Sequence, residues 1–245
     1  MNFFKYYSAH PSAEVADIMA PLKYHSIRYV TADQFNDPYD CKCFFEKING
    51  IREDSFSEVI NRHLRVACMS RNPSSPIMWS HYSTHHAGYV IEYNLPNLVF
   101  QKVDYKKLKP FYYSTKDLRE AVLRKKPNIS DSEIEDCMKD ILTSDESYMQ
   151  ILKDSIFTKH IDWKYEQEYR FIDVDEKGSM QKYVDKNIGS ENVSSIILGY
   201  KFNHDKYDEE LSSIIDSVYD GNLIVYKAEP SLDEYFMKIN PYTIG

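Results

Sequence analysis

Short hydrophobic runs alternate with amphipathic segments along the whole chain, and their spacing predicts a mixture of strands and helices. Runs dominated by apolar or alternating residues are typical of strands, and they fall at residues 2–7, 26–31, 66–70, 88–93, 102–105, 195–200 and 223–227. Apolar residues three or four positions apart are typical of helices with one buried face, and this spacing occurs at 12–21, 54–65, 76–83 and 204–218. Because strands and helices follow one another without a regular βαβ order, the pattern predicts an α+β fold, with a mixed central sheet and surrounding helices.

Three residues predict where helices begin or end. Ser12 is placed to cap the first helix, and Pro21 is placed to end it. Gly221 is placed to end the helix at 204–218, because glycine adopts the left-handed conformation that often follows a helix.

The middle of the chain is predicted to be helical. Its helix starts are Thr115, the capping box of Ser130 with Glu133, and Thr143 with Glu146. We find no repeat, low-complexity tract or linker in the sequence. We therefore predict a single α+β domain over residues 1–245, with a helical insertion at about 112–160.

The charge balance argues against a broad nucleic-acid surface. The formal net charge is −8 and the sequence pI is about 5.5, whereas proteins that coat nucleic acid are basic. Two local basic stretches, at 106–109 and 124–126, are compatible with a small site for a nucleic-acid or protein acceptor. With seven glycines and no GxGxxG or GxxxxGK[ST] pattern, a glycine-rich phosphate loop is not expected.

Cysteine usage and hydropathy predict a cytoplasmic protein. The four cysteines, Cys41, Cys43, Cys68 and Cys137, include no second CxxC-like pair, so we interpret them as reduced thiols rather than metal ligands. The N-terminus lacks the apolar core of a signal peptide, and no run approaches the roughly 18 apolar residues of a membrane span. We therefore expect a soluble protein without a membrane partner.

The segment KYEQEYRF at 164–171 carries the strongest candidate chemistry. In an extended strand, Glu166, Glu168 and Arg170 would project from the same face. The face is either solvated and held by ion pairs, or it lines a cleft with Lys159 as a second counter-charge. In a cleft, one carboxylate would have a raised pKa suited to acid–base work, or would stay ionised to stabilise positive charge.

Two further segments carry candidate binding residues. FNDPYD at 35–40 is typical of a turn, although its Asn36, Asp37 and Asp40 are also suited to holding a metal or a ligand hydroxyl. In MWSHY at 78–82, a helical turn would place Trp79 and Tyr82 on one side. These rings form either a ligand-facing wall, with His81 as a hydrogen-bonding partner, or ordinary core. His81 and His85 have the spacing of a helical metal pair, but no HExxH pattern accompanies them.

Three segments together, FNDPYD, MWSHYSTHHAGYVIEY at 78–93 and WKYEQEYRF at 163–171, resemble a bacterial family catalogued as domain of unknown function 2971. The resemblance extends to KYYS near the N-terminus and IILGY at 196–200, so it spans nearly the whole chain. It implies a bacterial or phage-associated cytoplasmic protein from a setting near mobile elements and antiviral defence loci.

The Glu166-Gln167-Glu168 triplet is also similar to the motif of ADP-ribosyltransferases. That resemblance implies that Glu168 hydrogen-bonds the nicotinamide ribose of NAD and stabilises the oxocarbenium-like state as nicotinamide leaves. It implies that Glu166 orients the acceptor or assists its deprotonation. It also implies an aromatic ring, Trp79 or Tyr82, stacked on nicotinamide. Where those enzymes carry an early-strand Arg or His, this chain offers Lys5 and tyrosines. Its nearest counterpart to their Ser-Thr-Ser motif is Ser70.

Three functional hypotheses follow. The first is a nucleotide-dependent enzyme, with transfer of ADP-ribose from NAD to a nucleic acid or protein as the specific reaction and a toxin or antiphage effector as the role. The second is phosphodiester hydrolysis with Mg²⁺ or Mn²⁺ held by Asp37, Asp40, Glu166 and Glu168. The third is a non-enzymatic sensor that binds a ligand or partner.

The predicted site residues are the same for most of these hypotheses. The predicted catalytic residues are Glu168, Glu166 and His81. The predicted binding residues are Tyr6, Asn36, Asp37, Asp40, Ser70, Trp79, Tyr82, Lys159, Trp163 and Arg170.

Overall fold

The computed structural model describes residues 1–41, 47–48, 51–52, 61–107, 115–144 and 146–244. Its strands are β1 (Asn2–Tyr7), β2 (Ser26–Val30), β3 (Lys47–Ile48), β4 (Ile51–Arg52), β5 (Leu64–Ser70), β6 (Tyr89–Asn94), β7 (Phe100–Lys102), β8 (Asp104–Lys106), β9 (Thr158–His160), β10 (Glu168–Val174), β11 (Tyr183–Asn187), β12 (Val193–Leu198), β13 (Ile224–Pro230) and β14 (Met237–Pro241). Its α-helices are α1 (Val15–Lys23), α2 (Pro76–Tyr82), α3 (Thr115–Lys125), α4 (Asp131–Ser144), α5 (Glu146–Phe157) and α6 (His204–Tyr219). Short 3-10 helices lie at Ala32–Gln34, Ile161–Glu166 and Ser190–Asn192.

A ten-stranded mixed sheet forms the centre of the fold. Its order is β11-β2-β5-β1-β6-β12-β13-β14, with β10 beside β5 and β7 beside β10. The pairs are antiparallel except β12–β13. Two small sheets, β3–β4 and the parallel pair β8–β9, lie apart from it. The predicted α+β class is confirmed; the assignment of residues 1–245 to one domain stays a prediction.

The two faces of the sheet bury different clusters because successive side chains of a strand point to opposite faces. On one face, Phe3, Ile91 and Ile196 pack with residues of α1 and α6 such as Leu22 and Leu211. On the other face lies a smaller cluster of Trp79, Val90, Ile197, Ala228 and Met237. The helix α2 thus covers the second face through its tryptophan.

The sheet splits beside β5. One edge of β5 pairs along its whole length with β10. The other edge pairs at Ser70 with Phe4 of β1 and at Val66 with Val30 of β2. Because β1 and β2 share this edge and diverge between those two points, a gap opens over the middle of β5, near Cys68.

The first helix begins and ends later than predicted. It starts at Val15 after Glu14, which makes no side-chain cap, and Ser12 instead bonds the ring of His10. Pro21 lies inside the last turn and does not end the helix, since the N–H of Tyr24 still bonds the Ala20 carbonyl at 2.9 Å. Proline has no N–H, so Pro21 itself donates no helical hydrogen bond, but the last turn of the helix still forms.

Other element boundaries also differ from prediction. The strand predicted at 102–105 is divided at the buried Val103 into β7 and β8. The helix predicted at 54–65 falls mostly outside the described residues, and its last two residues belong to β5. Cys43 also lies outside them. The sequence pattern missed β11 and β14, which are short and rich in polar residues.

The helical region is present as α3, α4 and α5. The predicted capping box precedes α4, where the Ser130 N–H donates to Glu133 Oε2 at 3.3 Å. Thr143 is not a cap, since it lies within α4. At the C-terminal end, Gly221 follows α6 with a φ of 72°, as predicted. Among the described helices, none is both long and apolar enough to cross a membrane.

Gly88 provides a test of how closely β1 and β6 approach. A Cβ at this position would lie 2.0 Å from the Tyr7 carbonyl oxygen. We expect Gly88→Ala to lower the free energy of unfolding by about 1–3 kcal/mol in urea denaturation, because backbone must move to relieve the contact. Gly221→Asn is the control: its Cβ would make only an ordinary van der Waals contact, 3.9 Å from Asp216 Oδ1, and asparagine tolerates the left-handed region. Equal effects of the two changes would contradict the prediction.

Candidate functional site

The gap between β1 and β2 forms a cavity of about 390 Å³. This lies within the size range of small-molecule sites, roughly 300–1,000 Å³. Its apolar walls include Phe4, Tyr6, Tyr7, Phe35, Met78 and Tyr82. Its polar lining includes Lys5, Arg28, Asn36, Asp40, Ser70, Lys159, Glu166 and Glu168. Aromatic walls with a few convergent polar groups are typical of a ligand site.

Glu166 reaches the cavity from a turn and not from a strand. The chain forms a 3-10 helix over Ile161–Glu166, and Gln167 then adopts the left-handed conformation with a φ of 46°. Strand alternation begins only at Glu168, so the predicted common strand face holds for Glu168 and Arg170 alone. The Ser70 hydroxyl fixes this turn by donating to the Glu166 carbonyl at 2.6 Å.

Arg170 is fully buried and organises the charged end of the site. Its Nε and Nη2 donate to Glu168 at 2.8 and 3.1 Å, and its Nη1 and Nη2 donate to Asp40 at 2.8 and 2.6 Å. Nη1 also donates to the Ile156 carbonyl and contacts the Cys41 sulfur at 3.1 Å. All five N–H donors of the guanidinium are therefore used.

Lys159 lies where three carboxylates meet. Its Nζ is 2.6 Å from Glu166 Oε2 and 3.5 Å from both Asp40 Oδ2 and Glu168 Oε2. The ammonium also lies 4.5 Å from the centre of the Trp163 ring. Trp163 does not line the cavity, so its contact with the site runs through Lys159.

Tyr82 and Asn36 complete the surroundings of Glu166. The Tyr82 hydroxyl donates to Glu166 Oε1 at 2.5 Å and accepts from the Asn36 amide at 3.0 Å. Both residues line the cavity. Glu166 is thus held by a phenol on one oxygen and an ammonium on the other, at the boundary between the charged cluster and the cavity.

Burial and charge push the two glutamates in opposite directions. Burial raises the pKa of Glu166 to about 7, and the Glu168 carboxylate adds to the rise against the opposing effect of Lys159. Burial also opposes ionisation of Glu168, but Arg170 and then Lys159 outweigh it and hold the pKa of Glu168 at about 2. For Lys159, the carboxylates outweigh burial, so its pKa is raised. Glu166 is therefore the member of the pair that exchanges a proton near neutral pH.

Several predicted site residues lie elsewhere. Trp79 is fully buried in the core, its Nε1 donates to the Pro73 carbonyl at 2.7 Å, and it does not line the cavity. His81 is exposed and contacts the Tyr165 hydroxyl at 3.1 Å. Asp37 accepts from the Tyr39 N–H at 2.8 Å within its own turn. The helical spacing of 76–83 did not reveal that Trp79 points to the core and Tyr82 to the cavity.

His81 and His85, which have the spacing of a helical metal pair, do not share a helical face. The helix α2 ends at Tyr82, and Thr84, His85 and His86 all have positive φ. The carboxylate alternative does not fit either: the Lys159 ammonium stands where a divalent ion would have to bind. Among the described residues, no group of three or more His, Cys, Asp or Glu has the arrangement of a metal site.

Sequence reasoning missed some residues that shape the site. Tyr105 accepts the Glu168 backbone N–H at 2.8 Å on its hydroxyl. Lys5, Arg28, Phe35 and Cys68 line the cavity. In the sequence, Lys5 stands out only as a departure from the ADP-ribosyltransferase pattern. The signal for its role in the site is a charged residue within the otherwise hydrophobic strand β1.

Removal of Arg170 tests the buried network. We expect Arg170→Met to lower the free energy of unfolding by about 3–5 kcal/mol, because Asp40 and Glu168 would stay buried with half their counter-charge. The matched control is Arg28→Met. Arg28 makes two hydrogen bonds to Asp185, at 2.8 and 2.7 Å, but its side chain is 51% exposed. An exposed pair is worth about 0–1 kcal/mol, so a similar loss from both changes in chemical denaturation would contradict the buried assignment.

The raised pKa of Glu166 predicts a pH dependence of stability. Between its ordinary value of 4.5 and its folded value of about 7, the folded chain holds a proton that the unfolded chain releases. The wild-type free energy of unfolding therefore falls as pH rises through this window. Glu166→Gln has no carboxyl group at this position to titrate. The free energy of unfolding of the variant minus that of the wild type should therefore rise by up to about 3 kcal/mol as the pH rises from 4.5 to about 7.

The measurement is urea denaturation at intervals from pH 4.5 to 7.5. Asp162→Asn, in the same 3-10 helix, is the control because its side chain is 83% exposed. Because Asp162 contacts His160 Nδ1 at 3.2 Å, the exposed Glu176→Gln serves as a second control. The difference between Glu176→Gln and the wild type should not change with pH. A constant difference for Glu166→Gln would show that Glu166 does not take up the proton.

Residues 78–171 match a family described as "Protein of unknown function (DUF2971)". This segment begins within α2, ahead of Tyr82, and it ends within β10, after Glu168 and Arg170. No curated protein and no solved structure matches the chain, so the comparisons give no support to the ADP-ribosyltransferase resemblance. From residue 78 to 171, the chain is similar to the DUF2971 family of proteins of unknown function.

Proposed function

We propose that the cavity is the active site of a cytoplasmic enzyme that acts on a small nucleotide, with Glu166 as the acid–base group. The observation that carries this proposal is the position of Glu166, on an aromatic cavity and with a pKa of about 7. A general acid or base works best when its pKa lies near the operating pH. Perturbed carboxylates in a cleft are more common at functional sites than elsewhere.

Contacts on both sides of Glu166 support an acid–base role. Lys159 stabilises its ionised form at Oε2, and the Tyr82 hydroxyl contacts Oε1 from the cavity side. When Glu166 is protonated at Oε1, the Tyr82 hydroxyl accepts that proton's hydrogen bond and turns its own O–H towards the cavity. Tyr82 therefore connects the ligand space with the carboxylate.

Glu168 suits one of the two roles that its motif implies, the stabilisation of positive charge. Both of its carboxylate oxygens accept from Arg170, and its low pKa keeps it ionised. A fixed negative charge beside the cavity stabilises positive charge that develops in a transition state. The roles in the Glu-x-Glu motif are therefore divided in our proposal, with Glu166 moving protons and Glu168 providing a constant field.

The specific reaction we propose is transfer of ADP-ribose from NAD. The bond between C1′ of the nicotinamide ribose and the pyridinium nitrogen breaks, and its electron pair passes to the nitrogen to give neutral nicotinamide. A lone pair of the acceptor forms the new bond to C1′, and the acceptor's proton passes to ionised Glu166. Tyr82, Tyr6 and Phe35 are the rings available to contact the nicotinamide or the adenine.

A binding module without catalysis is the second candidate. The observation that favours it is the closure of the charged cluster, in which Arg170 and Lys159 satisfy Asp40, Glu166 and Glu168 internally. Such a site would sense a nucleotide through its aromatic walls and leave the ligand intact. The two candidates differ in whether a bound ligand is consumed.

The test is nicotinamide release from NAD by the purified chain, in the presence of protein, DNA or RNA as acceptor. We expect Glu166→Gln to lower turnover by about 10²–10⁴-fold, the range for loss of a general acid–base group, while NAD still raises the melting temperature. Asp162→Asn serves as the exposed carboxylate control and should keep wild-type turnover. Expression of the wild type, but not of Glu166→Gln, should arrest bacterial growth if the chain is a toxin or antiphage effector.

The outcomes separate the candidates. Binding of NAD by the wild type without nicotinamide release would favour the binding module. If NAD neither raises the melting temperature nor is consumed, the NAD reaction is wrong. Full activity in Glu166→Gln would remove Glu166 from catalysis.

A further inference from the structure

We propose that Lys5 binds the phosphate of the ligand, at the point where the sheet splits. The inference rests on the proposed function for the class of ligand, a nucleotide. It adds a phosphate subsite on the β1 side of the cavity, apart from the cluster around Glu166.

Lys5 differs from the other cations that line the described part of the cavity. Lys159 contacts three carboxylates, and Arg28 is paired with Asp185 through two hydrogen bonds. Lys5 is half-buried, and no described residue places a carboxylate oxygen within salt-bridge distance of its Nζ. Its hydrogen bond goes instead to the backbone carbonyl of Cys68, at 3.2 Å.

The split in the sheet explains this contact. On the edge of β5 that faces β1 and β2, Cys68 lies between the two pairing points and has no strand opposite it. Lys5 donates to the Cys68 carbonyl from β1. A lysine ammonium has three N–H donors, so two remain for groups that enter the cavity.

The position of Lys5 is otherwise unfavourable for a charge. On the same strand face, Phe3 belongs to the main hydrophobic core and Tyr7 packs against it. Placing an ammonium there without a paired carboxylate carries a desolvation cost, and burial lowers its pKa. A phosphate in the cavity offsets this cost because it supplies the missing negative charge and accepts the free donors.

The surrounding groups favour phosphate at Lys5 over phosphate at the other end of the cavity. Glu166, Glu168 and Asp40 gather around Lys159, so a phosphate there would meet three carboxylates. None of these three carboxylates lies within salt-bridge distance of Lys5 among the described contacts, although the charge of Glu168 still acts on its ammonium. Tyr6 and Tyr7 line the cavity beside it. The ring of a nucleotide would then extend along that aromatic wall towards Tyr82 and Glu166.

A purely structural role is the rival explanation. In that case Lys5 only satisfies the Cys68 carbonyl, and its replacement would lower stability without changing which ligands bind. Lys5→Gln separates the two roles because glutamine keeps an N–H donor and loses the charge. Lys5→Met removes both.

The experiment compares AMP with adenosine by isothermal titration calorimetry, since the two differ only in the phosphate. We expect the wild type to bind AMP about 10- to 100-fold more tightly than adenosine, the effect of one charge-assisted contact. This ratio should fall to near unity in both Lys5→Met and Lys5→Gln. In Lys23→Met it should stay within about threefold of the wild-type ratio, because Lys23 does not line the cavity and pairs with Glu210 at 3.1 Å.

Three results would overturn the inference: a wild type that does not prefer AMP, a preference that survives Lys5→Gln, or a preference lost in Lys23→Met. AMP has no nicotinamide to release, so the result is independent of turnover. A Lys5-dependent preference for AMP without NAD turnover would support the phosphate site and contradict the proposed reaction. NAD turnover without that preference would support the reaction and contradict the phosphate site.

Discussion

The guanidinium of Arg170 is the contact on which the rest of the site depends. It joins three parts of the chain that are remote in sequence: the turn at 35–40, the end of α5 and the start of β10. Burial of such a charge costs several kcal/mol, which is offset only when the geometry and hydrogen bonding are complete. Because a guanidinium is planar and rigid, it fixes Asp40 and Glu168 in position. Lys159 and Glu166 are then placed against carboxylates that cannot move.

The acid–base character of Glu166 follows from burial and from the charges in that cluster. Three carboxylates, Asp40, Glu166 and Glu168, face two cations, Lys159 and Arg170. Arg170 contacts Asp40 and Glu168, and Lys159 lies closest to Glu166. Burial is the largest cause of the raised pKa of Glu166, and the neighbouring Glu168 carboxylate adds to it. A stable structural network thus leaves one carboxyl group that exchanges a proton near neutral pH.

Local patterns in the sequence predicted most of the sheet and several site residues, but not their geometry. Hydrophobic runs were sufficient for β1 and β6, because their apolar content is high. The short polar strands β11 and β14 depend on pairing partners, which no local pattern contains. Glu166 was placed in the site for the wrong reason, because a left-handed Gln167 leaves no signal of its own. The cavity itself arises from the divergence of β1 and β2, which depends on long-range pairing; Lys5 was therefore not assigned a role.

The split beside β5 also has a mechanical consequence. On the β1 side, six residue pairs with β6 anchor the strand to the remainder of the sheet. On the β2 side, the ladder connects β2 with the edge strand β11, and the pair of Val30 with Val66 joins them to β5. The wall formed by β2 and β11 therefore has fewer ladder pairs with the remainder of the sheet than the wall formed by β1. Widening the gap on the β2 side would break fewer backbone ladder pairs than widening it on the side that carries Lys5.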